Sequence, residues 1–401
     1  MYRKLIALFF AFFALYILTA CEGKGVIPTE KAPLYEEGIS SIRTGCMQQS
    51  ISTYENNFEC TDSGFYMLYP TESSYSVLLY CDHNSNTVVL LCSRADCAHN
   101  DEGCDAWYKG GINVCYYGGK LYIVEHDVSS GTQNFRLLRV DLDGRNRKVV
   151  MESADTIRGY SASNNVEIMN GMLLFGLSHL NEQGREASSL FYYCLDGSMK
   201  APELAPGFLP MASDGDTPLF YGESTENPGN VAIYTWQPGQ QEQYLTEADE
   251  EYNRVYYRTD YFYKLIDNKL YRIEYGTLEQ TMLFDTGLEG DHILRCFPDC
   301  IVIMDGSPNY DPNSANLPQT MRFYDWNFNS LGETTVNYEK NIDREQIICG
   351  ETDNRILLCS DMSYLPRYYI DKAEFGTGNI TLHEFDLPVN RPLAQGESIS
   401  K

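Results

Sequence analysis

The chain has 401 residues, of which 43% are hydrophobic and 21% are charged, and its formal net charge is −26. Such an excess of acidic side chains excludes an ordinary nucleic-acid-binding protein, because phosphate backbones attract basic surfaces and repel acidic ones. The length is enough for several separate domains or for one large repeat protein.

The first twenty residues have the layout of a secretory signal peptide. Arg3 and Lys4 give it a positive start, and an apolar stretch runs from Leu5 to Leu18. This stretch is shorter than the roughly 20 residues that a membrane-spanning helix needs, which argues against a transmembrane anchor. Residues 1–20 are therefore predicted to be removed on export.

The end of this segment, Leu18-Thr19-Ala20-Cys21, resembles the lipobox of bacterial lipoproteins. The resemblance implies that the Cys21 thiol carries a diacylglyceryl chain and that cleavage makes Cys21 the first residue. Two acyl chains anchor a protein firmly, because each buried CH2 contributes about 0.8 kcal/mol. We therefore expect a lipid anchor on the extracellular side of the cell membrane, with residues 21–55 as a Gly- and Pro-containing tether.

From residue 56 to residue 390 the chain repeats one pattern, in which short apolar runs alternate with turn residues. Tyr, Val, Ile and Phe dominate the runs, which is the composition of β-strands, and no long stretch has a helical period. The turns fall into two alternating series. The first series comprises Asp62-Ser63-Gly64, Gly118-Gly119, Asn170-Gly171, Asp214-Gly215, Thr259-Asp260, Pro298-Asp299 and Asp353-Asn354. The second comprises Asp82-His83-Asn84, Asp143-Gly144, Asp196-Gly197, Pro238-Gly239, Gly276-Thr277, Asn327-Phe328-Asn329 and Gly376-Thr377-Gly378.

Each pair of turns defines one unit of four strands, and the unit repeats about every 40 to 55 residues, which is typical of a β-propeller blade. Four strands alone leave both sheet faces uncovered, so neighbouring units must stack. We therefore predict an all-β fold, a single β-propeller of seven four-stranded blades over residues 56–390, with six or eight blades as alternatives. Residues 391–401 would form a C-terminal tail.

The connections between the second and third strands of each unit, here called the B–C loops, are the long ones. In a propeller they open on one face, which we call the long-loop face; the tight turns open on the opposite face. Long loops on a rigid scaffold are where binding is concentrated, although they are also tolerated without a function. The expected B–C loops are His126–Gln133, Leu177–Ala187, Gly222–Asn230, Asp305–Gln319 and Ser360–Arg367.

One segment between the first two units, "CSRADCAHNDEGC", has the spacing C-x4-C-x-H-x4-C. Cys92, Cys97, His99 and Cys104 supply the number and type of ligands that a tetrahedral zinc ion takes. Zinc ribbons usually carry a C-x2-C pair, however, and the first gap here is four residues. We place the segment after the last strand of the first unit, on the long-loop face.

Disulfide bonds are the competing interpretation, because the chain is expected to be exported and has twelve cysteines after Cys21. Free buried thiols are a third. The disulfides that we consider are Cys97–Cys104, Cys92 with Cys81 or Cys115, Cys296–Cys300 and Cys349–Cys359.

The lipobox, the C-x4-C-x-H-x4-C segment and the blade pattern together resemble exported β-propeller lipoproteins of Gram-positive anaerobes. The resemblance implies a fold and a location, and no chemistry. From the loop asymmetry we expect a non-catalytic scaffold that binds a glycan, a peptide or a partner protein through the long-loop face. The alternative is an extracellular glycoside hydrolase or lyase with its site in the central funnel, an analogy with other propellers. No catalytic or ligand-binding residue can be assigned from the sequence.

Overall fold

The structure is a computed structural model that describes residues 58–386 with gaps. The gaps are residues 62, 72–74, 95, 98, 100, 102, 128–133, 153–160, 170, 181–185, 200–201, 208, 215–216, 250–253, 307–318, 337–347 and 360–365. The expected signal peptide, Cys21, the tether and the C-terminal tail all lie outside the described residues. Within the described part, no helix has the length and apolar character needed to cross a membrane.

The described strands form seven antiparallel sheets, each built from four consecutive strands and arranged as a seven-bladed propeller, so the predicted fold class is confirmed. Blade one contains β1 Phe58–Thr61, β2 Gly64–Pro70, β3 Tyr75–Asp82 and β4 Val88–Leu90, with an extra piece β5 Trp107–Lys109. Blade two contains β6 Gly111–Tyr117, β7 Lys120–Asp127, β8 Asn134–Asp141 and β9 Lys148–Glu152. Blade three contains β10 Ser161–Met169, β11 Met172–Leu180, β12 Glu186–Cys194 and β13 Glu203–Leu204. Blade four contains β14 Leu209–Asp214, β15 Thr217–Glu223, β16 Val231–Thr235 and β17 Gln243–Glu247, and blade five contains β18 Val255–Tyr257, β19 Tyr261–Ile266, β20 Lys269–Glu274 and β21 Gln280–Asp285. Blade six contains β22 His292–Cys296, β23 Ile301–Asp305, β24 Gln319–Tyr324 and β25 Ser330–Val336. Blade seven contains β26 Ile348–Glu351, β27 Arg355–Cys359, β28 Pro366–Asp371 and β29 Leu382–Glu384. A short 3-10 turn covers Lys372–Glu374.

The described residues of both turn series lie where the sequence places them, the first between the first and second strands of each blade and the second between the third and fourth strands. Asp62, Asn170 and Gly215 of the first series lie outside the described residues. At Gly118 and Gly119 the backbone φ angles are +57° and +71°, which glycine adopts without a steric cost. The B–C connections are less uniform than expected. Strands β11 and β12 stay paired as far as Leu180 and Glu186, so most of the expected loop Leu177–Ala187 is a hairpin. The B–C connection of blade five is only a two-residue turn, at residues 267–268.

The hydrophobic core is divided among the joints between blades. The described side chains form seven apolar clusters, and each contains side chains from two adjacent blades. Middle strands are covered on both faces, as in β23, where the first four residues are all buried. Outer strands such as β21 are largely exposed. Burial therefore requires neighbouring blades, which is why the repeats form a single ring.

Blade seven closes the ring against blade one. The Arg355 guanidinium donates hydrogen bonds to the Ser85 carbonyl and to Asn86 Oδ1, each at 3.0 Å. After β29, Asp386 forms a parallel bridge with Thr87 at the outer edge of blade one. The ends of the propeller are thus joined by hydrogen bonds as well as by an apolar cluster.

Blade one departs from the expected pattern at its outer edge. Strand β3 pairs with two successive pieces, with Val88 of β4 opposite Cys81 and Trp107 of β5 opposite Val77. Residues 91–106, which we call the outer-edge insertion, leave the sheet between these pieces. We expected this segment to follow the last strand of the blade on the long-loop face. It instead interrupts the outermost strand, because pairing with β3 resumes at Trp107.

The outer-edge insertion contacts both neighbouring blades. Its Cys97 and Cys104 pack in the apolar cluster that includes Phe385 of blade seven. On the other side, the Arg147 guanidinium of blade two donates to the carbonyls of Cys104 and Asp105, at 3.3 and 3.0 Å. The cysteine segment therefore sits at the rim of the ring, where three blades meet.

Candidate metal centre

The four predicted ligands of the outer-edge insertion converge. Cys92, Cys97, His99 and Cys104 each offer one ligand atom, and all four atoms lie within 4.8 Å of one another. In a tetrahedral zinc site with Zn–S bonds of about 2.3 Å, neighbouring sulfur atoms are about 3.8 Å apart. Small side-chain rotations would bring the present set to that spacing, so the cluster could hold a metal ion.

Local turns bring these residues together. The amide of Cys97 donates to the Arg94 carbonyl at 3.3 Å, and the amide of Cys104 donates to the Asp101 carbonyl at 3.0 Å. His99 has a φ of +54°, which is uncommon for a residue other than glycine. The first turn lies between Cys92 and Cys97 and the second between Cys97 and Cys104, so residues far apart along an extended chain share one site.

Hydrogen-bond donors surround the sulfur atoms. The Arg94 guanidinium donates to Cys97 Sγ at 3.2 Å, and the Ala106 amide donates to Cys104 Sγ at 3.4 Å. His99 Nδ1 lies 3.3 Å from Cys104 Sγ. Arg94 and the Ala106 amide lie outside the ligand set, and such outer donors orient metal ligands and stabilise the negative charge of thiolates.

The two buried cysteines differ in acidity. The hydrogen bond from Arg94 holds the pKa of the Cys97 thiol below its usual value, whereas burial raises the pKa of Cys104 to about 12. Cys104 is thus a neutral thiol when no ion is bound. A metal ion that it coordinates would displace its proton.

Contacts outside the ligands attach the centre to the sheet. The Trp107 indole N–H donates to the His99 carbonyl, and its ring packs on Tyr75 with the ring centroids 5.2 Å apart. The Arg147 guanidinium lies 4.1 Å from the centre of the Tyr108 ring. Both Trp107 and Tyr108 belong to β5, so these contacts link the outer-edge insertion and Arg147 to that strand.

The disulfides that we considered for this segment are not formed. Cys92, Cys97 and Cys104 are free thiols. Cys81, one of the partners considered, directs its thiol to the Ser85 carbonyl at 3.4 Å. The convergence of three sulfur atoms and an imidazole on one point favours a metal-binding arrangement over a single disulfide.

The pairing considered within blade six is not formed either. Cys296 and Cys300 are buried thiols, but Cys296 packs in the cluster facing blade five and Cys300 in the cluster facing blade seven. Their side chains therefore lie on opposite faces of one sheet. The side chains of Cys349 and Cys359 lie outside the part of the structure that is described.

On the long-loop face, the B–C loop of blade four contains a hydrogen-bonded network that sequence reasoning missed. Glu247 Oε1 accepts from Ser224 Oγ at 2.5 Å, Asn227 Nδ2 at 3.1 Å and Tyr244 OH at 3.1 Å. These bonds, led by that from Ser224, lower the pKa of Glu247. Glu247 lies on β17, beyond the loop, so no local sequence signal connects it to Ser224.

The network holds the loop in one conformation. Ser224 itself is buried, its amide donates to the Asn230 carbonyl at 2.9 Å, and the Tyr234 hydroxyl donates to the Glu223 carbonyl at 2.8 Å. The six residues from 225 to 230 are all exposed. This loop therefore presents polar side chains from a fixed backbone.

The geometry above defines a seven-bladed β-propeller with a Cys3His cluster at its rim. No protein-family model matches the chain, and no curated protein matches it.

Several solved structures match the chain at low identity. The β-propeller domain of the Trilobed protease from Pyrococcus furiosus is 10% identical with a TM-score of 0.43, and the match covers 84% of this chain and 96% of that one. An acylaminoacyl peptidase is 12% identical with a TM-score of 0.45, over 84% of this chain and 54% of the other, so the chain spans about half of that peptidase's length. TolB from Acinetobacter baumannii is 13% identical with a TM-score of 0.34, over 70% and 65%. No activity, substrate or partner of this chain follows from them.

Proposed function

We propose that this protein is a lipid-anchored β-propeller on the extracellular side of the cell membrane. It acts as a non-catalytic ligand-binding or protein-interaction scaffold, and its long-loop face takes a glycan, a peptide or a partner protein. Cys21 carries the lipid. Cys92, Cys97, His99 and Cys104 hold one structural zinc ion.

The observation that carries the binding role is the preformed loop of blade four. Ordering a loop on binding costs free energy, and a loop already held in place avoids that cost. The Ser224–Glu247 hydrogen bond fixes this loop while leaving residues 225–230 exposed to a partner. A scaffold that presents such a loop needs no catalytic group.

The structural role of zinc follows from the ligand count. A catalytic zinc ion keeps one coordination position for water or substrate, whereas a structural one has four protein ligands. Three cysteines and one histidine would fill all four positions. With three thiolates the site would carry one net negative charge, and the Arg94 guanidinium next to Cys97 Sγ offsets it.

The binding role is tested by shortening the loop. Residues 224–230 are replaced by Asn-Gly in the full-length protein, and the matched control replaces residues 237–242, on the opposite face of the same blade, by the same dipeptide. Both are applied to glycan and peptide arrays, and thermal unfolding verifies the fold. We expect the first variant to lose the binding of the parent protein and the control to keep it. Equal binding by both would refute the role of this loop, and cleaved glycan would favour the enzyme alternative.

The metal and the lipid are tested separately. Protein purified without reductant should contain one zinc ion per chain by mass spectrometry, and Cys97→Ser or His99→Ala should abolish it while Cys194→Ser, in blade three, retains it. A metal-free parent protein would refute the zinc site. Cells supplied with labelled palmitate should label the parent protein and leave Cys21→Ala unlabelled, whereas a labelled variant would refute lipidation at Cys21.

A further inference from the structure

We propose that the zinc site is sensitive to oxidation: a small disulfide oxidant joins Cys92 to Cys97 and thereby releases the ion. This inference rests on the proposed zinc site and adds regulation to it. Its basis is the arrangement of three sulfur atoms within 4.8 Å of one another in a segment at the surface of the ring. Zinc itself has no redox chemistry, so any electron transfer must come from the sulfur ligands.

The surroundings of the three cysteines select the pair. Cys92 is half-buried, whereas Cys97 is 7% exposed and Cys104 is 1% exposed. Cys104 Sγ is enclosed by the Ala106 amide and by His99 Nδ1. An oxidant arriving from solvent therefore meets Cys92 first, and Cys97 is the more accessible of the two remaining sulfurs.

Arg94 lies between these two cysteines in the sequence and contacts the second of them. Its guanidinium donates a hydrogen bond to Cys97 Sγ at 3.2 Å, so this sulfur lies beside the turn that joins the two cysteines. Four residues separate Cys92 from Cys97, and the turn between Arg94 and Cys97 brings the chain back on itself. Sulfur atoms that share a metal ion need only rotate their side chains to reach the S–S bond length of about 2.05 Å.

The exchange balances without any further reagent. The Cys92 thiolate attacks one sulfur of an oxidised small thiol R–S–S–R, the S–S bond breaks, and R–S⁻ leaves. The Cys97 thiolate then attacks the Cys92 sulfur of the mixed disulfide and expels the second R–S⁻. Two protein thiolates have lost two electrons in total, the oxidant has gained two, and both released thiolates take up protons from water according to their pKa values.

Zinc then retains only two of its four ligands, Cys104 and His99, and dissociates. The carbonyls of these same residues accept hydrogen bonds from Arg147 of blade two and from Trp107 of β5. Loss of the ion therefore loosens the contact of the outer-edge insertion with blade two and with the end of its own sheet. Oxidation of the outer-edge insertion therefore weakens its contacts with the neighbouring blade.

The test uses zinc-loaded full-length protein, oxidised glutathione and a chromogenic zinc chelator. We expect glutathione disulfide to raise the rate of zinc release about tenfold or more, with two thiols lost per zinc, and dithiothreitol with added zinc to reverse it. Peptide mapping should find a Cys92–Cys97 linkage with Cys104 still open to alkylation. The control Cys194→Ser, which lies outside the site, should release zinc as the parent does.

Zinc retained while glutathione disulfide consumes other thiols would overturn the inference and leave the proposed zinc site intact. Zinc release with a linkage to Cys104 would overturn the assignment of the pair. Absence of zinc from the starting protein would instead refute the site itself, so the two failures are distinguishable. A fall in the thermal unfolding temperature on oxidation, restored with the zinc, measures the effect on the blade joints.

Discussion

Closure of the ring depends on one buried arginine, and replacing Arg355 by alanine tests this. Arg355 is 5% exposed and lies on the second strand of blade seven. It donates to the Ser85 carbonyl and to Asn86 Oδ1, each at 3.0 Å, and its guanidinium lies 4.2 Å from the centre of the Tyr369 ring. The substitution removes two hydrogen bonds to blade one and one cation–π contact within blade seven.

The expected cost follows from these contacts. A hydrogen bond from a charged donor contributes about 1.5 to 3 kcal/mol, and a cation–π contact about 0.5 to 2 kcal/mol. Burying the guanidinium offsets part of this gain, because its Nε has no hydrogen-bond partner. We therefore expect Arg355→Ala to lower the free energy of unfolding by about 3 kcal/mol.

The assay is urea denaturation of the parent protein, Arg355→Ala and a matched control, Arg367→Ala. Arg367 also lies in blade seven, but its ion pair with Glu384 is on the surface, with the side chains 48% and 54% exposed. Such pairs contribute about 1 kcal/mol or less. If both variants lost the same small amount of stability, Arg355 would not be what holds the ring closed.

Three further predictions concern single positions. Gly144 and Gly197 have φ angles of +83° and +80°, but an added Cβ would lie 2.7 Å from the Leu91 carbonyl oxygen at Gly144 and in open space at Gly197. Gly144→Ala should therefore lower the free energy of unfolding more than Gly197→Ala does, by about 1 kcal/mol or more in urea denaturation. Equal losses would contradict the packing of the Gly144 turn against the outer-edge insertion. Burial lowers the pKa of His83, and its Nδ1 has no hydrogen-bond partner, so the folded protein keeps this imidazole neutral. The contribution of His83 to stability is therefore complete above the unfolded pKa of about 6.5 and is lost as the pH falls below it. His83→Gln should lose less stability than the parent protein between pH 7.5 and 5.5, and an identical loss would refute this. The buried Lys372 Nζ lies 2.7 Å from a carboxylate oxygen of Glu351 and 2.9 Å from one of Asp299. Lys372→Met should therefore lower the free energy of unfolding by about 3 kcal/mol, and adding Glu351→Gln should restore part of that loss. A loss near zero in thermal or urea unfolding would contradict a buried ion pair.

Much of the fold could be predicted because its signals are local. Each hairpin needs residues that tolerate its turn, and Gly118-Gly119 or Asp143-Gly144 supply them within a few positions of the strands they join. Aromatic and β-branched runs between these turns then give the order of the strands. Blade count follows from counting the turn pairs, and the ligand types of the metal centre follow from the spacing of its cysteines.

Features that depend on contacts distant in sequence could not be predicted. Nothing near Trp107 in the sequence indicates that it resumes pairing with β3, so the cysteine segment was placed after blade one instead of within its outermost strand. The same holds for the bond between Ser224 and Glu247, which are 23 positions apart. The sequence shows that Cys296 and Cys300 are close along the chain, but it does not show that their side chains point to opposite faces of the sheet. A disulfide between them was therefore considered.

By itself, then, the sequence determined the strands and the turns and predicted seven blades with six or eight as alternatives, since backbone conformation at a turn is decided by the few residues that form it. Only the tertiary structure decided which groups meet: the three sulfurs with His99, and Arg355 with Ser85, 270 positions away. The physical reason is that the curvature of the ring arises from side-chain packing in every joint at once. A contact across the closure depends on all seven joints and is not encoded near either partner.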